Sequence, residues 1–143
     1  MNNLSDSHLA NKLHQLRVTF LALFADFFAA YFAYDLVMSE SQNEILKYSS
    51  LISLPANTLT DLVQTAYLGT VGVSGLFHLV IHLFFLKNKN WAYRYLKFYT
   101  TLAALTSLFS SMSDHTKIFI LPCLLYFVST YLLWFKLKPL KNV

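Results

Sequence analysis

An acid and two imidazoles sit where hydrocarbon is expected. Asp26 interrupts the run "TFLALFADFFAAYF", and His78 and His82 interrupt "GLFHLVIHLFF". An ionisable side chain within a membrane span is costly and marks a functional candidate. Three chemistries are open to this set. Asp26 could take up and release a proton, with His78 and His82 passing it on, since imidazole changes charge near neutral pH. His78 and His82, spaced i, i+4, could hold a divalent metal such as zinc from one helix face, with Asp26 as third ligand. Asp26 could instead accept hydrogen bonds from His78 and a threonine hydroxyl and so lock helices together. Haem fits poorly, because both histidines fall on one segment rather than on two facing ones.

The elements that must carry these residues follow from composition. The chain is 143 residues long, 56% hydrophobic and 17% aromatic, with only 13% charged residues, and its mean hydropathy is +0.47. Soluble domains carry about a quarter charged residues, so the expectation is a single integral membrane domain spanning residues 1–143. A helical span needs about 20 apolar residues. Four segments qualify, at about 18–38, 62–86, 91–112 and 117–136. The fold class expected is all-α, a four-helix transmembrane bundle. One cysteine, Cys123, leaves no intramolecular disulfide and no Cys-x-x-Cys motif.

Lys and Arg orient the bundle, because cytoplasmic loops retain them. Lys12, Arg17, Lys87, Lys89, Arg94, Lys97, Lys136, Lys138 and Lys141 fall on one side, and Lys47 and Lys117 on the other. Both termini are expected in the cytoplasm. Leu9, Leu13 and Leu16 at helical spacing predict a short surface helix before the first span. In the first outer loop, Ser41-x-x-Glu44 has the form of a capping box. It predicts a short interfacial helix running to Pro55. Thr58-x-x-Asp61 repeats the pattern where span two begins.

At about 100° per residue, each span divides into two faces. Asp26 shares its face with Thr19, Ala22, Ala29, Ala30 and Ala33, away from Phe20, Phe24 and Phe27. Gln64, Tyr67, Ser74, Gly75, His78 and His82 form one face of span two. Span three sets Thr100, Ala104 and Ser107 opposite Phe98, Leu102, Leu105 and Phe109, and span four aligns Tyr126 with Ser129. A bundle with a polar interior is expected. Counting ~1.5 Å per residue from the cytoplasmic ends puts Asp26 and His78 at the same depth, about 12 Å in. Thr100 and Ser129 reach the same layer. The proton- or ligand-binding set is therefore Asp26, His78, His82, Thr100 and Ser129. Gly69, Gly72 and Gly75 are expected to provide the close helix packing that brings the histidines to Asp26. Asp35, Asp61, Asp114 and His115 are expected to form an acidic outer mouth that gathers cations.

The layout, four short spans with one acid midway along the first, is similar to that of the small multidrug transporters, whose acid is a glutamate where this chain has Asp26. In size, span order and Lys/Asn-rich style the chain resembles the four-span inner-membrane ciprofloxacin tolerance proteins of Gram-negative bacteria. That resemblance implies a bacterial inner-membrane location, a role in tolerance of fluoroquinolones and related drugs, and no established catalytic activity. No nucleophile–base pair, phosphate loop or repeated metal motif is present, so an enzyme is not expected. The partners expected are the lipid bilayer, a second copy in a homodimer, and a drug or cation, with no nucleic acid. No cofactor is expected, a zinc-like metal being the alternative. A non-transporting accessory or envelope protein is the alternative function.

Overall fold

A computed structural model describes residues 3–112 and 114–137, without the side chains of residues 3–8, Asp114 and His115. The described residues are helical and contain no strand. Helix α1 runs Asn3–Ile52, α2 Ala56–Leu86, α3 Asn90–Ser111 and α4 Ile120–Tyr131. A 3-10 segment, Asp114–Phe119, leads into α4, and a π-helical turn, Leu132–Lys136, closes it.

Helix α1 corrects the expected division into a surface helix, a span and an interfacial helix. Its 50 residues form one continuous rod, about 75 Å long at ~1.5 Å per residue. The physical reason is the lack of any breaker, since the first glycine or proline of the chain is Pro55. Ser41 caps nothing. Its hydroxyl donates back to Met38 O at 3.2 Å, as Ser39 does to Leu36 O and Ser50 to Lys47 O. These serines satisfy themselves within the helix and leave its backbone closed. The chain reverses only at Ser53, whose φ of 54° is left-handed. Pro55 then starts α2, so the Thr58–Asp61 pattern lies inside that helix, not at its cap.

Three helical stretches are long and apolar enough to cross a membrane: Leu9–Ile52, Ala56–Leu86 and Thr116–Lys136. Helix α3 coincides with the expected third span, but its first turns carry Arg94 and Lys97, which lowers its apolarity.

The ends of the helices are in register. At one end, the base, the Gln15 amide donates to Asn88 Oδ1 at 2.6 Å. There too the Tyr93 hydroxyl donates to Leu133 O at 2.6 Å. Towards the other end, the top, Phe32 meets Phe119 and the Tyr67 hydroxyl donates to Ala30 O at 2.5 Å. Beyond that level α1 and α2 continue as a two-helix hairpin. The base is tightly packed around Val18, Ile81, Phe85, Ala92, Leu96, Leu133 and Leu137. A second cluster of Ala25, Ala104 and Tyr126 lies above it. The inward faces match expectation on α1 and α3, where Thr19, Ala22, Thr100 and Ala104 are buried while Phe20, Phe24, Phe98 and Phe109 are exposed.

Helix α2 is the exception. Its buried residues, Ile81, His82 and Phe85, all lie in its basal third. Higher up it leans on α1 and leaves space beneath it. The glycines therefore do not do what their spacing predicts. A Cβ built on Gly69, Gly72 or Gly75 would meet nothing within 4 Å. They are exposed, and no neighbouring backbone approaches them.

Candidate functional site

The space beneath α2 is a cavity of about 420 Å³ whose floor is Asp26. The alanine-rich face of α1 turns that carboxylate into the bundle, and every other helix contributes one or more groups to the cluster around it. From α2, His78 Nδ1 lies 3.1 Å from Asp26 Oδ2. From α3, the Tyr99 hydroxyl donates to Asp26 Oδ1. From α4, the Tyr126 hydroxyl donates to the same oxygen at 2.5 Å. Tyr95, one turn before Tyr99, reaches the far nitrogen of the imidazole, with its hydroxyl 3.2 Å from His78 Nε2. The ring of His78 also lies against that of Tyr99, with centroids 4.2 Å apart.

This arrangement satisfies a carboxylate as an acceptor. Two phenol O–H groups occupy one oxygen and an imidazole N–H faces the other, so the charge is dispersed over several donors. The set can be completed in two ways. With neutral His78, Nδ1–H donates to Asp26 and Nε2 accepts from Tyr95. With a second proton on the ring, both nitrogens donate, and the Tyr95 oxygen accepts. Tyr95 can serve either state by rotating its hydroxyl. In both arrangements every polar atom of the pair is partnered. The Asp26 and His78 side chains retain 17% and 12% exposure, so both touch the cavity while most of their surface is held by protein.

No protein-family model, no curated protein and no solved structure matches the chain. The reading of the site rests on its geometry.

The structure brings Asp26 and His78 together and leaves the other expected residues apart. His82 is 2% exposed, and neither ring nitrogen has a partner among the described residues. It does not join Asp26. Thr100 is buried with its hydroxyl likewise unpartnered. The Ser129 hydroxyl donates to Leu125 O within its own helix, at 2.9 Å. Asp26, His78 and His82 do not assemble as a coordinating set. Among the described residues no group of three or more His, Cys, Asp or Glu side chains converges on a metal position.

Of the expected acidic mouth, only Asp35 and Asp61 have described side chains. Asp35 and Asp61 are exposed on the α1–α2 hairpin and do not line this cavity. The side chains of Asp114 and His115 lie outside the described residues.

Tyr95 and Tyr99 are the candidate groups that helix periodicity missed, whereas Tyr126 lay on the expected inward stripe of span four without being assigned to the site. Tyr95 and Tyr99 are spaced i, i+4 on α3, the spacing that places two side chains on one face. Tyr126 falls at the depth of Asp26 in an antiparallel helix. Those two facts together were the available signal.

Proposed function

We propose that this is a small four-span protein of a bacterial inner membrane that binds a cationic or amphiphilic small molecule in exchange for a proton at Asp26. The observation that carries the reading is a carboxylate inside the bundle, held by His78, Tyr99 and Tyr126, at the floor of a cavity. One carboxylate can neutralise either a proton on His78 or a cation in the cavity, and that competition is the coupling. Binding of this kind is how the chain would contribute to tolerance of fluoroquinolone-type drugs, either as a transporter or as a homodimeric accessory protein.

Four crossings are supported by the matched ends of the helices. Arg94 and Lys97 of α3 stand at the base, where long cationic side chains can reach the membrane surface. The Lys97 ammonium lies 3.4 Å from the centre of the Trp134 ring, an aromatic–cation pair suited to the interface. Arg17, Lys87, Lys89 and Lys136 belong to the same end, which makes the base the cytoplasmic side under the positive-inside rule. The buried cluster from Val18 to Leu137 then closes the cytoplasmic half, and the cavity belongs to the opposite half.

The test is drug susceptibility of a deletion strain complemented with wild type or Asp26→Asn at equal membrane levels. Failure of the Asn variant to restore tolerance supports the reading, and full complementation removes Asp26 from it.

A further inference from the structure

A second cavity of about 350 Å³ adjoins the first. It lies between α1, α3 and the start of α4, and its walls include Ala33, Ala103, Thr106, Ser107, Ser110 and Phe119. The two cavities share Ala29, Tyr99 and Tyr126. The same two phenols that hold the carboxylate therefore form the partition between a compartment that contains Asp26 and one that does not.

The chemistry of the two compartments differs. The first offers one carboxylate, which attracts a positive centre by charge, bordered by the side chains of Tyr99 and Tyr126. The second contains no ionisable side chain other than the tyrosines. Its walls are methyl groups, an aromatic ring and small hydroxyls. The Thr106 hydroxyl already donates within its own helix, 3.1 Å from Leu102 O and from Ala103 O. Nothing there compensates a charge, and a second charge on the ligand would be stranded. Each volume falls within the range of small-molecule pockets, about 300–1,000 Å³.

We infer that the two cavities form one bipartite site for an organic monocation, whose charged head sits at Asp26 and whose neutral ring or alkyl body, on parting the Tyr99 and Tyr126 hydroxyls from their 3.4 Å contact, reaches the compartment lined by Ala103, Ser107 and Ser110. The inference rests on the proposed binding of a cation at Asp26 and adds the shape of the ligand and the residues that measure it. Small side chains at 33, 103, 107 and 110 keep the second compartment open. Their size sets which ligand bodies fit.

Two probes with the same head separate the claims: tetramethylammonium, which has no body, and trimethyl(4-phenylbutyl)ammonium, which has one. Binding of each to the purified full-length protein in detergent is measured by titration calorimetry. Wild type is expected to bind the phenylbutyl probe at least tenfold more tightly than tetramethylammonium, a difference of about 1.4 kcal/mol. Ala103→Phe, which fills the second compartment, is expected to remove that advantage while leaving tetramethylammonium binding within about twofold. Ser110→Phe, at an exposed position on the wall, gives the same comparison if Ala103→Phe does not fold. Equal affinity of the two probes for wild type, or an undiminished advantage in a folded Phe variant, overturns the bipartite site and leaves cation binding at Asp26 standing. If neither probe binds wild type, both the bipartite site and the proposed function fall.

Discussion

Tyr126 donates its hydroxyl to Asp26 across 100 positions of sequence, at 2.5 Å. The contact joins the last helix to the first at the level where the packed base gives way to the cavity. Tyr99 donates to the same carboxylate oxygen from a third helix. With His78 of α2 on the other oxygen, Asp26 is thus both the candidate ligand group and the point at which four helices are tied.

That double role predicts a graded response to substitution. Asp26→Ala leaves two phenols and an imidazole without their acceptor, a loss expected to cost about 1–3 kcal/mol. Asp26→Asn keeps an acceptor oxygen and the shape, and is expected to cost less. Thermal unfolding in detergent, monitored by circular dichroism, ranks the two. Equal loss would show that the carboxylate oxygen is not what the phenols require.

Because Tyr99 and Tyr126 serve one oxygen, their effects should not add. Either Tyr→Phe change alone leaves the other phenol to close on Oδ1. The double variant loses both, so its destabilisation is expected to exceed the sum of the singles by about 0.5 kcal/mol or more. A double-mutant cycle on unfolding free energies measures the coupling directly, and simple additivity would mean that the two hydrogen bonds are independent.

The glycines yield a sharper prediction than their spacing did. Gly72 and Gly75 have open space where a Cβ would stand, and neither has a positive φ. Alanine fits both positions and favours the helix by roughly 0.5–1 kcal/mol. Gly72→Ala and Gly75→Ala are expected to leave stability unchanged or improved. A marked loss, accompanied by a lower molecular mass in light scattering, would reveal that a second copy packs against this face of α2.

Much of the site was legible because depth and face are both periodic properties. Counting residues from the membrane surface put Asp26 and His78 at one level, and they are in contact. Tyr99 escaped the same logic because it lies between Phe98, which faces outward, and Thr100, which faces inward. At ~100° per residue its side chain belongs to neither face clearly. The interfacial helix failed for another reason. Capping boxes are read from side chains that can close a helix end, but Ser41 has an equally good acceptor three residues back. With no glycine or proline before Pro55, nothing opened the helix. The glycine run misled because small residues permit a close contact without requiring one.

The base should be the least tolerant part of the bundle. Leu133 is fully buried within the cluster around Phe85 and Leu96. In a bilayer, packing rather than water exclusion holds helices together, so Leu133→Ala is expected to cost about 2 kcal/mol through the void it leaves. Unfolding in mixed detergent measures this. A negligible change would mean that the basal half can collapse around the void and is not a rigid closure.

The most direct test of the account is proton release on ligand binding. Trimethyl(4-phenylbutyl)ammonium is added to the purified protein in weakly buffered detergent solution near neutral pH, with an indicator dye reporting free protons. The account predicts acidification with wild type, as the cation displaces a proton from the Asp26–His78 pair, and none with Asp26→Asn. Binding without proton release, or equal release from the Asn variant, would contradict it.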